Sequence, residues 1–202
     1  MSVTPDGGFV MGNPNAKVKL VEFGSMTCPH CRAFDEEGVP ALVNDYVKSG
    51  KVSWEFRNYV RDAFDLSASL ITRCGGPREF FPLTRAIFKD QPAWEAQIAK
   101  TPQDQLKSIE DLPPNRLFAA AAKVAGLQAL ASAHGMPAAR TSQCLTDKQS
   151  IDRLVQMTGA ATTKYPDFQG TPTFVINGKM LERTATWGTL EPQLKNALGE
   201  RG

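Results

Sequence analysis

The sequence predicts an α/β fold that carries an inserted all-helical region, and three observations predict it. A strand–helix–strand alternation runs through residues 17–59, residues 62–164 hold only helical patterns, and short apolar strands return at residues 173–181. A strand, a helix and a second strand in this order form a right-handed βαβ unit with a parallel pair. The implied division is residues 1–61 with 165–202 as one domain, and 62–164 as the insertion.

Taken in order, residues 1–16 form a lead-in in which Phe9-Val10-Met11 suits a short edge strand and Gly12-Asn13-Pro14-Asn15 is turn chemistry. Residues 17–23 read as a strand with Val18 and Leu20 on one face and Val21 and Phe23 on the other. A strand apolar on both faces belongs in the middle of a covered sheet. Glu22 shares the Val18/Leu20 face and stands out there; it is either turned to solvent or held for a purpose. From Pro29 to about Ser49, Phe34, Val39, Leu42, Val43, Tyr46 and Val47 recur at helical spacing, and Asp35, Glu36 and Glu37 suit the helix dipole. Pro40 inside this pattern predicts a kink. Residues 51–59 alternate Val52, Trp54 and Phe56 against Lys51, Ser53 and Glu55, which is a strand.

The helical patterns that follow cover 62–74, 77–90, 94–100, 103–109, 115–134, 137–145 and 148–164, the segment 115–134 with its Ala119–Ala122 run being the longest. Thr173–Ile176 and Lys179–Leu181 flank Asn177-Gly178, the strongest short signal for a hairpin. Trp187–Leu198 closes the chain as a helix with apolar positions at Trp187, Leu190, Leu194 and Leu198. The three tryptophans read as packing residues, and His134, ahead of Gly135, as a helix-end residue.

Composition limits the function classes. The 202 residues are 42% hydrophobic and 22% charged with a net charge of +2, and no block of like charge suggests a nucleic-acid partner. No apolar run reaches the 18 or so residues that span a bilayer. The first residues, Met1 to Gly8, show neither a basic start nor an apolar core of a secretion signal, so the protein is expected either in the cytosol or in an exported form written without its signal. The four cysteines, Cys28, Cys31, Cys74 and Cys144, lean towards an oxidising compartment.

The chemistry converges on Cys28-Pro29-His30-Cys31. The strand at 17–23 delivers this dithiol to a helix N-terminus, where unpaired N–H groups and the dipole favour a thiolate. Pro29 suits the first helical position, since it has no N–H to leave unsatisfied. Cys28 is expected to be the more exposed sulfur and the nucleophile, and Cys31, one turn in, the resolving thiol. A lowered thiolate pKa stabilises the reduced form and makes the disulfide more oxidising. His30 between the two can add a donor or a partial cation. A zinc site needs two further ligands at compatible spacing; Cys74, Cys144, His30 and His134 form no second close pair, so neither a metal nor another cofactor is expected.

Cys28-Pro29-His30-Cys31 resembles the active site of the DsbA family of bacterial thiol-disulfide oxidoreductases, which have a thioredoxin fold with a helical insertion. The resemblance covers most of the chain. It includes Glu22, six residues before the first cysteine, and the run Gly170-Thr171-Pro172-Thr173-Phe174-Val175-Ile176-Asn177-Gly178. It implies that Pro172 is a cis-proline set against the dithiol and that Thr171 offers backbone groups to an extended substrate; without the family, Thr171-Pro172 is simply the opening of a strand. It implies that Glu22 is the buried acid that relays a proton to Cys31. Some alphaproteobacterial relatives are similar in having a second cysteine pair among the helices, so Cys74 and Cys144, otherwise two inert thiols, are expected to form a structural disulfide. The function implied is a periplasmic dithiol oxidase, working as a monomer on unfolded cysteine-containing proteins and re-oxidised by a membrane partner of the DsbB type. Thr171 before the proline resembles the isomerases and reductases of this fold, which makes such an enzyme the alternative; a redox-inactive peptide-binding module is a third reading, against which the intact dithiol stands.

Overall fold

The structure, a computed structural model, describes residues 1–200, so the last two residues of the expected 165–202 segment lie outside the described residues. The chain divides into two compact units, residues 1–59 with 157 onward, and Val60–Gln156.

The first unit is built on a six-stranded sheet of order β1-β2-β4-β3-β5-β6. Its strands are β1 (Ser2–Val3), β2 (Phe9–Met11), β3 (Val18–Gly24), β4 (Val52–Asn58), β5 (Thr173–Ile176) and β6 (Lys179–Met180). The pair β3 and β4 is parallel with Leu20 beside Trp54 and Glu22 beside Phe56, while β5 joins β3 antiparallel with Phe174 beside Glu22. β3 therefore lies inside the sheet, as its two apolar faces require. The segment expected as a loose lead-in adds two strands, and Phe9–Met11 pairs with β4 and is itself covered by β1, so it is not the edge.

That lead-in also closes one face of the sheet. The alternation in β4 puts Ser53 and Glu55 on a polar face, yet both are buried. Thr4 Oγ1 donates to Glu55 Oε1 at 2.7 Å, Arg57 Nε donates to the same oxygen at 2.7 Å, and Arg57 Nη1 lies 2.8 Å from Asp6. Gly8 is required at this crossing, because a Cβ there would stand 2.0 Å from Glu55 Oε1. Further along the same face, Phe23 and Val175 pack with Ala161, Tyr165 and Phe168. Phe23, at 3% exposure, contributes about 1.5–3 kcal/mol of transfer free energy, and the partly buried Tyr165 and Phe168 contribute less.

The opposite face, carrying Leu20, Glu22, Trp54, Phe56 and Phe174, is met by the helix after β3, where the Phe34 and Phe174 rings lie 4.7 Å apart. That helix does not run unbroken to residue 49. It consists of α1 (Pro29–Glu37), a single turn α2 (Val39–Ala41) and a π-helical turn at Leu42–Val47. Pro40 has no N–H for the helical ladder, and Gly38 lets Phe34 lie against the backbone, since a Cβ at Gly38 would stand 2.7 Å from the ring. The expected kink is thus a change of helix type. The hairpin β5–β6 turns at Asn177 and Gly178, both with positive φ (49° and 86°), as its turn residues dictate.

The second unit is all-helical: α3 (Ala63–Arg73), α4 (Pro77–Lys89), α5 (Gln91–Lys100), α6 (Gln103–Glu110), α7 (Pro114–Val124), α8 (Leu127–Ala133) and α9 (Ala138–Thr146), with the boundary falling inside α10 (Lys148–Lys164). Asp62 caps α3, its Oδ1 accepting from the N–H groups of Phe64 and Asp65 at 2.9 Å. The single long helix expected over 115–134 is instead α7 and α8. Gly126, with φ of 68°, takes the left-handed conformation that ends one helix and starts the next. The longest helix is consequently α10, with 17 residues. The last helix, α11 (Trp187–Leu198), has the expected bounds and buries Leu190 and Leu194. No helix among the described residues is long and apolar enough to cross a membrane.

Candidate active site

The dithiol stands where β3 ends and α1 begins. Cys28 is the N-cap residue with extended backbone, and Pro29 takes the first helical position. The Cys28 carbonyl accepts from Arg32 N–H at 3.1 Å and so starts the helical ladder. Both cysteines are free thiols. Cys28 is the more exposed of the two by a margin too small to matter, at 2% against 0%, because the Thr171 segment lies over it: the Cys28 thiol donates to the Thr171 carbonyl oxygen at 3.0 Å. The Thr171–Pro172 peptide bond is cis. This reach across 143 positions of sequence brings Thr171 and Pro172 to the dithiol.

The two sulfurs are driven apart electrostatically. The Cys28 thiol is pulled down to about 5, chiefly by the hydrogen bond from Cys31 and further by Thr171 and the backbone N–H groups of Cys31 and His30, against the opposing effect of burial. Cys31 is pushed well up, first by burial and then by its bond to Cys28 and by the charges of Cys28 and Glu22. The imidazole of His30 is exposed, and what this residue brings to Cys28 is its backbone N–H.

Glu22 is buried on the sheet face towards α1, at 1% exposure, which excludes the solvent-facing alternative. Burial pushes its carboxyl well above the usual range, the Asp35 charge adds to this, and a hydrogen bond from Trp54 opposes it. That bond runs from Trp54 Nε1 to Glu22 Oε2 at 3.0 Å, with Trp54 3% exposed. Trp54 and Asp35 are the residues that sequence reasoning missed. The signals were present. Trp54 stands two residues from Phe56, the residue paired with Glu22 in the parallel neighbour, and shares its face, and Asp35 lies four residues after Cys31 on one helix face.

Beside the cis bond lies an open groove of about 580 Å³, with Gln169, Gly170, Pro172 and Thr173 on one side and Leu181 to Ala185 on the other. It lies at the N-terminal end of β5, beside the dithiol. In the helical unit, Cys74 at the end of α3 is bonded to Cys144 in α9, with Cα atoms 5.8 Å apart. Among the described residues no group of three or more His, Cys, Asp or Glu side chains is arranged to hold a metal ion.

Comparison with known proteins places this geometry. A family model described as thioredoxin matches residues 4–196. A Rickettsia bellii protein, named as a candidate protein-disulfide oxidoreductase, is 28% identical over 178 residues, covering 88% of this chain and 60% of the relative. The chain thus spans about three-fifths of that relative's length. Among solved structures, a protein-disulfide isomerase from Novosphingobium aromaticivorans superposes with a TM-score of 0.91 at 35% identity, covering 96% of this chain and 99% of the other. Alpha-DsbA1 of Wolbachia pipientis superposes with a TM-score of 0.76 at 20% identity, covering 98% and 94%, and shares the fold.

Proposed function

The chain belongs to the thioredoxin family, and from that premise we propose that it is a thiol-disulfide oxidoreductase whose Cys28–Cys31 couple oxidises dithiols of other proteins. The observation that carries this reading is the opposite displacement of the two thiols at one helix N-terminus, Cys28 down to about 5 and Cys31 well up.

In the oxidised enzyme a substrate thiolate attacks the Cys28 sulfur, a substrate–Cys28 disulfide forms, and the Cys28–Cys31 bond breaks with its electron pair on Cys31. Cys31 is buried and strongly prefers the neutral thiol, so this step needs a proton; Glu22 supplies it, a role that its burial and raised pKa support. A second substrate thiolate then attacks the substrate sulfur of the mixed disulfide and expels Cys28 as a thiolate, a good leaving group because of its low pKa. The substrate leaves with a new disulfide and the enzyme holds two more electrons. The groove beside Thr171 and Pro172 holds the extended substrate, unfolded and cysteine-containing, through backbone pairing. We assign the protein to the periplasm, as a monomer re-oxidised by a membrane disulfide donor of the DsbB type.

A second reading, a disulfide isomerase, is favoured by the name of the Novosphingobium structure and by Thr171 ahead of the proline. The equilibrium of Cys28–Cys31 with glutathione, read by alkylation and mass, separates the two. A reduction potential well above that of glutathione upholds the oxidase. A value near or below it transfers the reading to the isomerase or reductase, and the absence of exchange overturns both.

A further inference from the structure

The carboxyl of Glu22 is held by an unusual partner. In the interior a carboxyl group is commonly met by a cation or by backbone N–H groups, whereas here the donor is the indole N–H of Trp54, at 3.0 Å from Oε2. Both side chains are almost fully buried, at 1% and 3% exposure. Their placement is set by the sheet: Leu20 pairs with Trp54 and Glu22 with Phe56 in the parallel β3–β4 ladder, so the indole and the carboxyl share one face and lie diagonally next to each other. Among the described residues no other hydrogen bond reaches the carboxyl, so Oε2 is occupied and Oε1 is left to carry a proton.

We propose that Trp54 is a positioning residue for proton transfer at the dithiol: its N–H holds Glu22 Oε2, so that Oε1 is the oxygen that delivers a proton to Cys31 and takes it back. The proposal rests on the oxidoreductase reading above for its chemistry, though not for its geometry. When a substrate thiolate breaks the Cys28–Cys31 bond, the electron pair stays on Cys31 and the proton on Oε1 passes to that sulfur, leaving Glu22 as a carboxylate. The indole N–H then faces a full negative charge, and its hydrogen bond strengthens. On re-oxidation by a disulfide donor, Cys31 returns the proton to Oε1. The titratable groups whose charge bears on Glu22 come from α1 and its N-cap: Asp35 and Cys28, which raise its pKa, and Cys31, which feels its charge in return. From β4 and β5 the facing residues are Trp54, Phe56 and Phe174, none of which titrates in this range. Trp54 acts in the opposite sense to Asp35, since a donor favours the charged carboxylate. Burial raises the pH at which the acid is spent, and Asp35 and Trp54 adjust it in opposite directions.

The test is Trp54→Phe in the reduced protein, followed through the infrared carboxyl band that disappears in Glu22→Gln. Loss of a donor to a charged group raises the Glu22 midpoint by about one pH unit. The descending limb of the pH profile for reduction of the Cys28–Cys31 disulfide by a cysteine-containing peptide moves upward by the same amount, and Trp54→Phe adds nothing to that profile in the Glu22→Gln background. An unmoved carboxyl band in a folded Trp54→Phe protein overturns the proposal and leaves Trp54 as packing. Should the variant not fold, the indole N–H resonance of Trp54 in the unsubstituted protein decides: it titrates with the Glu22 midpoint if the proposal holds, and is independent of pH if it does not. The carboxyl titration needs no catalysis, so a protein that fails to exchange with glutathione but shows the shift overturns both readings of the dithiol given above and leaves the hold of Trp54 on Glu22 standing.

Discussion

At Cys28 a single sulfur is stabilised as an anion in a place where burial alone would keep it neutral. The bond from Cys31, the Thr171 contribution and two backbone N–H groups together outweigh desolvation and bring its pKa to about 5. The sign of the consequence for stability follows by linkage. A thiol titrates near 8.5 in an unfolded chain. A folded-state pKa below this gives the reduced protein stability that is fully present above about pH 8.5 and is lost as pH falls towards 5. The oxidised protein has no such thiolate. The expected outcome is that the melting temperature of the reduced form exceeds that of the oxidised form most near pH 8, with the gap closing as pH falls to 5. Alkylation of the reduced protein by iodoacetamide follows a single midpoint near pH 5. A midpoint above pH 8 would show that these donors confer no thiolate character on Cys28.

Elements deliver these residues, and the delivery depends on close approach at the end of β3. Gly24 is the last residue of that strand, and a Cβ there would stand 2.4 Å from the ring of Phe56, which is 1% exposed and cannot swing away. Gly24→Ala therefore overpacks the sheet by about 1–3 kcal/mol, and calorimetry should show a melting temperature lower by about 2–4 °C for each of these. An unchanged melting temperature would mean that β3 shifts freely. What was legible in the sequence follows the same logic. β3, the β5–β6 hairpin and α11 were readable because each signal is local: two apolar faces, an Asn-Gly turn, a helical stripe. The break between α7 and α8 was hidden because an alanine run continues the helical pattern up to Gly126, a lone glycine. The strand at Phe9–Met11 was readable, but its place inside the sheet was not, because its partners in β4 lie far along the chain, and β1, a two-residue strand that pairs with β2, gave no signal of its own. In the site, Cys28, Cys31, Glu22 and the Thr171–Pro172 pair announce themselves by spacing, but Trp54 and Asp35 look like any core tryptophan and any helix-dipole acid. Their roles arise only when β4 is set beside β3 and α1 is laid over both.

On the scale of the whole molecule, the two cysteine pairs serve different ends in different units. Cys28 and Cys31 are three positions apart and free, whereas Cys74 and Cys144 are 70 positions apart and bonded, both in the helical unit. That bond closes a loop running from the end of α3 through α9, so it constrains the unfolded chain over most of the unit. On the chain-entropy account, a loop of this size is worth about 4 kcal/mol. It should also resist glutathione, since structural disulfides sit well below the glutathione potential while a couple with a low-pKa thiol sits above it. The double replacement Cys74→Ala with Cys144→Ala is accordingly expected to lower the urea-unfolding free energy by about 4 kcal/mol, while the iodoacetamide midpoint of Cys28 stays near 5. A loss below about 1 kcal/mol would mean that the reduced chain already keeps these helices together. A moved Cys28 midpoint would mean that the helical unit tunes the dithiol. With both measurements on one variant, the staple and the reactive pair are separated by their energetics as they are by their place in the chain.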